Sequence, residues 1–366
     1  MNLLLLWFGC VLTITPTECW TVNLSLTFKE GNLDSYNTYV LYTGFPINGH
    51  LIKSIVRTER ESALLVWKEW YENVTEKGAC GIFKLGCFSC PEPCSHGTKE
   101  ILIAGRVEMK VYGYRVRAFD IRGLSFELIG GQDPPPDESL PVNCLGLKPD
   151  LDKGNFSVMN QLRQKRKLSS ATFTLYLRPT AHTEFFNGRI ILGDVDPTQY
   201  TIPLRYVPLL RSNDYAITLK NINIQEGPTI LGINHAAVIR TGRHFIGIPQ
   251  VYFSGLAKDL AAAASKIAGK SVDIRWDDEE EIYMVHCDLR IYLPALTLYL
   301  GSEGEPAPLL LTHQNYVRKF KRYTDCTVMI TVVRGSEWEL PDSILIGNYI
   351  EFQPNEMRLG IARLKA

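Results

Sequence analysis

The sequence predicts an all-β fold in two halves, with a few short helices, and three observations lead to it. Alternating or β-branched runs bounded by Gly, Pro, Asn and Asp recur from one end of the chain to the other. At 366 residues the chain is longer than the about 100–200 residues that one core commonly holds, so two units are expected. An apolar share of 45% with a charged share of 21% describes a folded globular chain rather than a disordered one.

Taken in order, the first stretch, "MNLLLLWFGCVLTITPTECW", has a short apolar segment followed by small and polar residues, the pattern of a secretory leader over residues 1–20. No later apolar run approaches the roughly 20 residues needed to cross a bilayer, so a secreted chain without a membrane anchor is expected. Strands are read at "TVNLSLTF", "NTYVLYTG", "KEILIAG", "MKVYGYRVRAFDI", "ATFTLYLRP", "GRIILGDV", "YAITLKNINI", "EIYMVHCDL", "ALTLYLG", "TVMITVV" and "MRLGIARL". The segment "GGQDPPPDESLP" over 130–141 is a surface loop, because its prolines cannot continue a central strand. One helix is read at "SGLAKDLAAAASKIAG", capped by Ser254 and ended by Gly269, and another at 155–168, whose basic end suits a helix C-terminus. The chain divides best near Ser169 and Ser170, giving units at 21–170 and 171–366.

Lys and Arg number 39, as do Asp and Glu, so no global field draws the chain to nucleic acid or a membrane surface. The Lys/Arg cluster near 163–167 is a solvated helix face, since no aromatic platform accompanies it. Asn23, Asn73 and Asn155 open N-glycosylation sequons. Beyond the leader lie seven cysteines, Cys80, Cys87, Cys90, Cys94, Cys144, Cys287 and Cys326, and an odd number leaves one unpaired in an oxidising compartment. Cys144, inside the apolar "PVNCLGL", is the expected free thiol. The cluster Cys80, Cys87, Cys90 and Cys94, followed by His96, could ligate zinc, but disulfides are preferred in a secreted chain, and neither metal nor cofactor is expected.

The order of segments in the second half carries a resemblance. "ATFTLYLRP", "NGRIILGDVDPTQYTIPLRYVPL", "YAITLKNINI", then "AAVIRTGRHFIGIP" with its helix, "YMVHCDLRIYLPALTLYLG", "ILIGNYIEF" and "MRLGIARL" succeed one another as in the C-terminal lobe of a pepsin-like aspartic protease. More loosely, "YVLYTGFP", "SIVRTERESALLVW", "MKVYGYRV" and "VNCLGL" resemble the N-terminal lobe. The resemblance implies a bilobal all-β fold around a central cleft. It also implies a disulfide between Cys287 and Cys326, closing a loop worth about 4 kcal/mol in the chain-entropy model.

Carried over position by position, the family's second catalytic aspartate falls on Arg240, with Thr241 and Gly242 retained. The first falls on Arg57, followed by Thr58 and by Glu59 in place of glycine, and the flap tyrosine falls near Ile103, the next tyrosine being Tyr112. The family's reaction needs two carboxylates that share one proton. A guanidinium has a pKa above about 12 and offers donors only, so it cannot take a proton from water. Two arginines at roughly 4 Å would repel by about 4 kcal/mol at an effective dielectric of 20, so each is expected to point to solvent or to pair with a carboxylate such as Glu59 or Glu61 rather than to share a bound anion. His235 and His244 flank the corner and are expected to be surface or structural residues rather than ligands. "WTVNLSLTF" follows the leader directly, so a basic propeptide is expected to be absent, and "SILIGNYIEF" looks short for the strand that should cross beneath Arg240. The expectation is a secreted, monomeric pseudoprotease that holds a peptide, protein or small ligand in its cleft; an endopeptidase with different catalytic corners and a structural extracellular protein are the alternatives.

Overall fold

The computed structural model describes residues 21–32, 37–90, 97, 99–104, 106–136, 139–148, 156–181, 184–302, 304–320 and 323–365. The leader at 1–20, Cys94, His96 and the sequon at Asn155 lie outside the described residues.

Strand dominates, as the periodicity indicates. In Val22–Asn32, Leu26 and Phe28 turn into the core while Asn23, Ser25 and Lys29 face water, the two-residue alternation of a half-buried strand. Thirteen strands form one sheet, and its pairing crosses the sequence boundary near residue 170: Phe185–Leu192 lies antiparallel to Val22–Asn32, with Leu24 opposite Ile190 and Phe28 opposite Phe186. On one side of that junction the sheet continues through Phe173–Pro179, Asn348–Gln353, Arg358–Leu364 and Tyr200–Pro208. On the other it runs through Asn37–Ile47, His50–Arg57, Cys144–Gly146 and Leu64–Val66 to the long hairpin of Ile121–Asp133 and Val107–Ala118, with Lys99–Ala104 at its edge. An eight-stranded sheet, built from segments between Ala216 and Leu340, and a four-stranded sheet at Arg275–Asp277, Ile282–Val285, Val317–Lys319 and Cys326–Val328 complete the second half. The molecule is thus mostly β and bilobal, with one sheet spanning both halves.

The helix Gln250–Ala268 buries Phe253, Leu256, Ala257, Leu260, Ala263 and Ala264, the three-to-four-residue spacing of one helical face. It begins at Gln250, with Pro249 at the cap position and no side-chain cap, so Ser254 lies inside the helix instead of opening it; Gly269 ends it in the left-handed conformation. The strand Ile246–Pro249 feeds directly into the helix, and proline suits that entry because it has no N–H to leave unpaired. The basic helix is shorter than 155–168: it covers Val158–Gln164 and is capped by the Ser157 hydroxyl, which accepts from the Asn160 N–H. "HCDL" leaves strand at Val285 and becomes a 3-10 turn, Cys287–Tyr292.

Cys80 is bonded to Cys87 and Cys287 to Cys326, and Cys90 is also in a disulfide, so these thiols are crosslinks and not zinc ligands. Cys144 is the free cysteine among the described residues and is buried. Burial pushes its thiol up to about 11, opposed by nearby Arg57 and Arg60. Among the described residues, no helix is long and apolar enough to cross a membrane.

Candidate binding cleft at two arginine corners

Two strands end on an arginine–threonine pair. His50–Arg57 closes at Arg57 and His235–Ile239 just before Arg240, and each has a parallel partner beside its end. Cys144–Gly146 flanks the first, pairing Arg57 with Gly146, and Leu147 N–H donates to the Arg57 carbonyl at 2.9 Å. Only glycine fits at 146, since a Cβ there would stand 2.4 Å from the Ser62 carbonyl oxygen. Trp338–Leu340 flanks the second, pairing Ile239 with Leu340, and Arg240 N–H donates to the Leu340 carbonyl at 2.9 Å. The crossing strand beneath Arg240 is therefore present. It lies in "WELP", upstream of "SILIGNYIEF", with Pro341 at the place that Gly146 holds at the first corner.

The two corners meet through their threonines. Thr58 N–H donates to Thr241 Oγ1 at 2.9 Å, and Thr241 N–H donates to Thr58 Oγ1 at 3.0 Å. Thr58 Oγ1 in turn donates to the Ile239 carbonyl at 2.9 Å. Both threonines are buried, so these bonds link the halves in a dry setting where an unpaired N–H would be costly. Tyr215 adds a second link, its hydroxyl donating to the Leu147 carbonyl at 2.7 Å.

The corners differ. Gly242 takes the left-handed conformation, φ 86°, and a Cβ on it would press within 3.1 Å of Arg57 Cγ, so the Arg57 stem lies over the opposite corner. Glu59, at the equivalent place after Thr58, does not enter the left-handed region; its carboxylate turns back to Arg57, Oε1 to Nη1 at 2.9 Å. Arg240 pairs with Glu339 at 2.9 Å, with Glu337 at 4.0 Å. Each guanidinium thus has its own carboxylate, as the expected repulsion requires, but only Glu59 came from the expected pair: Glu61 binds Lys148 at 3.1 Å instead. Glu339 escaped sequence reasoning because it is brought to Arg240 by parallel pairing from about a hundred residues downstream.

Asp342 lies beneath the second corner. Its Oδ1 accepts the Gly242 N–H at 2.8 Å, while Oδ2 has no partner among the described residues. Burial raises its carboxyl well above the usual range, with the Gly242 N–H pulling the other way and Glu59 adding to the rise. His244 is lowered to about 4 by burial and by neighbouring Arg57, so it is neutral at physiological pH. His235 stacks edge-on against Tyr252 at 5.8 Å, a structural position.

A cavity of about 260 Å³ opens beside the crossed threonines. Thr58, Glu59 and Lys148 line it from the first half, and Asp214, Tyr215 and Arg240 from the second. Two carboxylates and two cationic side chains share its wall. Ile103 lies on the hairpin strand Lys99–Ala104 and is 73% exposed, with Ile101 on the same face at 59%. Tyr112 is opposite Lys99 in that hairpin and its ring meets Trp67 edge-on at 6.2 Å. Asn23 and Asn73 are exposed. Among the described residues, no group of three His, Cys, Asp or Glu is placed to hold a metal ion.

A family model described as eukaryotic aspartyl protease matches residues 145–364, which include the Arg240 corner and not the Arg57 corner. Renin of Echis ocellatus is 28% identical over 215 residues, covering 57% of this chain and 49% of that protein. Renin of Rattus norvegicus is 23% identical over 225 residues, covering 60% and 51%, and cathepsin D of Chionodraco hamatus is 25% identical over 215 residues, covering 57% and 50%. The chain spans about half the length of the curated relatives it matches. The match extends over well more than half of the chain and takes in strands of both the thirteen-stranded and eight-stranded sheets, so the chain belongs to the eukaryotic aspartyl protease family.

Proposed function

We propose that this protein is a secreted, non-proteolytic member of its family that binds a peptide, or a peptide-like segment of another protein, in the cleft between lobes 21–170 and 171–366. The observation that carries the reading is the pairing at the corners: Arg57 with Glu59 and Arg240 with Glu339, on either side of the crossed Thr58–Thr241 bonds. Water activation by this family's chemistry needs a carboxylate pair sharing one proton. Here Glu59 and Glu339 are each tied to a guanidinium at the corners, Asp214 on the cavity wall pairs with Arg211 at 2.9 Å, and Asp342 is buried beneath the second corner with one oxygen on Gly242.

Binding survives that loss because it depends on the cavity rather than on the acids. Lys148 and Arg240 beside Glu59 and Asp214 give a wall that complements the alternating donors and acceptors of a peptide backbone and either sign of side chain. The disulfides fit an oxidising compartment, and Asn23 and Asn73 are accessible to a glycosyltransferase. The protein acts as a monomer in this reading.

Calorimetric titration with a statine-containing peptide tests it. The expected result is saturable binding without turnover, weakened at least several-fold by Lys148→Ala, which removes a charge from the cavity wall. Absence of binding across a panel of such peptides would favour a structural extracellular role instead.

A further inference from the structure

A second polar cavity lies away from the corners, and it is built around a buried cation. Arg318, on the short strand Val317–Lys319, is 1% exposed. Its guanidinium carbon stands 5.1 Å from the Tyr39 ring, 5.2 Å from Phe186 and 5.4 Å from Phe28, three aromatics on three strands of the thirteen-stranded sheet. Nη1 donates to the carbonyls of Gln314 and Val317. Nη2 has no partner among the described residues. Taking a guanidinium out of water with one nitrogen unmatched is costly, and cation–π contact offsets only part of the cost.

The nearby acid is already engaged. Glu184 binds Arg290 Nη1 through Oε1 at 2.6 Å and accepts the Tyr39 hydroxyl through Oε2 at 2.8 Å. Arg318, Arg290, His313 and Glu184 line one cavity of about 110 Å³. Two permanent positive charges therefore face it against one negative charge. Burial, and after it the charges of Arg290 and Arg318, hold His313 below its ordinary imidazole value. Burial pulls Arg318 down to about 10, opposed by Tyr39 and Glu184. A guanidinium edge with a free N–H is the group that pairs best with a planar or tetrahedral oxyanion.

We propose that this cavity binds a small oxyanion, held by Arg290 and His313 at its wall over the buried charge of Arg318. The ligand is either a free inorganic ion or the carboxylate of an organic acid or peptide terminus, since both present the same oxygens to the fork. The inference stands apart from the reading of the cleft, because none of these residues lines the cavity beside Thr58 and Thr241.

The experiment compares melting temperature in sulfate, phosphate and acetate with chloride at equal ionic strength, in the wild type and in Arg318→Met. The expected result is a rise of several degrees with at least one oxyanion, not matched by chloride and lost in Arg318→Met. A response to sulfate and phosphate identifies an inorganic ion as the ligand, and a response to acetate alone identifies a carboxylate. In parallel, the His313 ring protons of the wild type are followed by NMR as pH is varied. The oxyanion that stabilises is expected to raise the His313 midpoint, because it neutralises the field of Arg290 and Arg318. This second readout serves even if the variant does not fold. Equal effects of chloride and oxyanions, an unchanged shift in Arg318→Met, or a His313 midpoint that no oxyanion moves would overturn the proposal.

Discussion

The crossed threonines differ in what their hydroxyls do, and that difference has a measurable size. Thr58 Oγ1 accepts the Thr241 N–H and donates to the Ile239 carbonyl. Thr241 Oγ1 accepts the Thr58 N–H, and among the described residues its own proton has only Thr58 Oγ1, at 3.5 Å, to reach. Replacing Thr58 by valine keeps the shape, leaves the buried Thr241 N–H unpaired and takes a donor from Ile239. An orphaned buried donor costs about 1–3 kcal/mol and a lost hydrogen bond about 1 kcal/mol, so Thr58→Val should destabilise by about 2–4 kcal/mol. Thr241→Val orphans one N–H and should cost about 1–3 kcal/mol. The assay is urea unfolding followed by tryptophan fluorescence, with Thr→Ser at each position as the control that retains the hydroxyl. The reasoning fails if Thr241→Val costs as much as Thr58→Val, or if both fall below about 0.5 kcal/mol.

Three further outcomes follow from the same structure. His244 is lowered to about 4 in the fold, while an unfolded histidine protonates near 6.5, so its contribution to stability is full above that value and is lost as pH falls from about 6.5 to 4. The loss amounts to at most about 3 kcal/mol, and His244→Gln should flatten the acid limb of the stability curve; an unchanged limb would exclude His244 as its source. Alkylation at pH 8 should leave Cys144 unmodified in the native protein and label it once urea is added, because the thiol is buried and raised to about 11; rapid native labelling would contradict its placement. Removing the Cys287–Cys326 crosslink, with 39 residues of separation, should cost about 4 kcal/mol in the chain-entropy model. Removing Cys80–Cys87, with a separation of 7, should cost about 2.5 kcal/mol, and a reversed order in paired Cys→Ala variants would count against that model.

Local signals carried much of this molecule. Side-chain alternation located the strands, and the odd cysteine count with the apolar setting of Cys144 singled out the free thiol. "VIRTG" and "IVRTE" marked both corners through their resemblance to the family's strand-to-turn motif, with Thr retained in each. What stayed hidden was set by pairing between distant segments. Glu339 and Asp342 reach the second corner only through the parallel strand Trp338–Leu340. The start of the long helix was missed because Ser254 offered a plausible cap, whereas the strand ending in Pro249 enters the helix with no side-chain cap. The aromatic cage around Arg318 is drawn from residues 28, 39 and 186, and no periodicity in "NYVRKF" separates a caged arginine from a solvated one.

The central claim is that the arginine corners bind without cutting. Its most direct test is digestion of a quenched peptide library by the purified protein from pH 3 to 7, beside the double variant Arg57→Asp, Arg240→Asp. The account predicts that the native protein is silent and that the variant, with acids restored on either side of the crossed threonines, gains a trace of statine-sensitive cleavage. Statine-sensitive cleavage by the native protein would contradict it, because the carboxylates responsible would then lie elsewhere than at these corners.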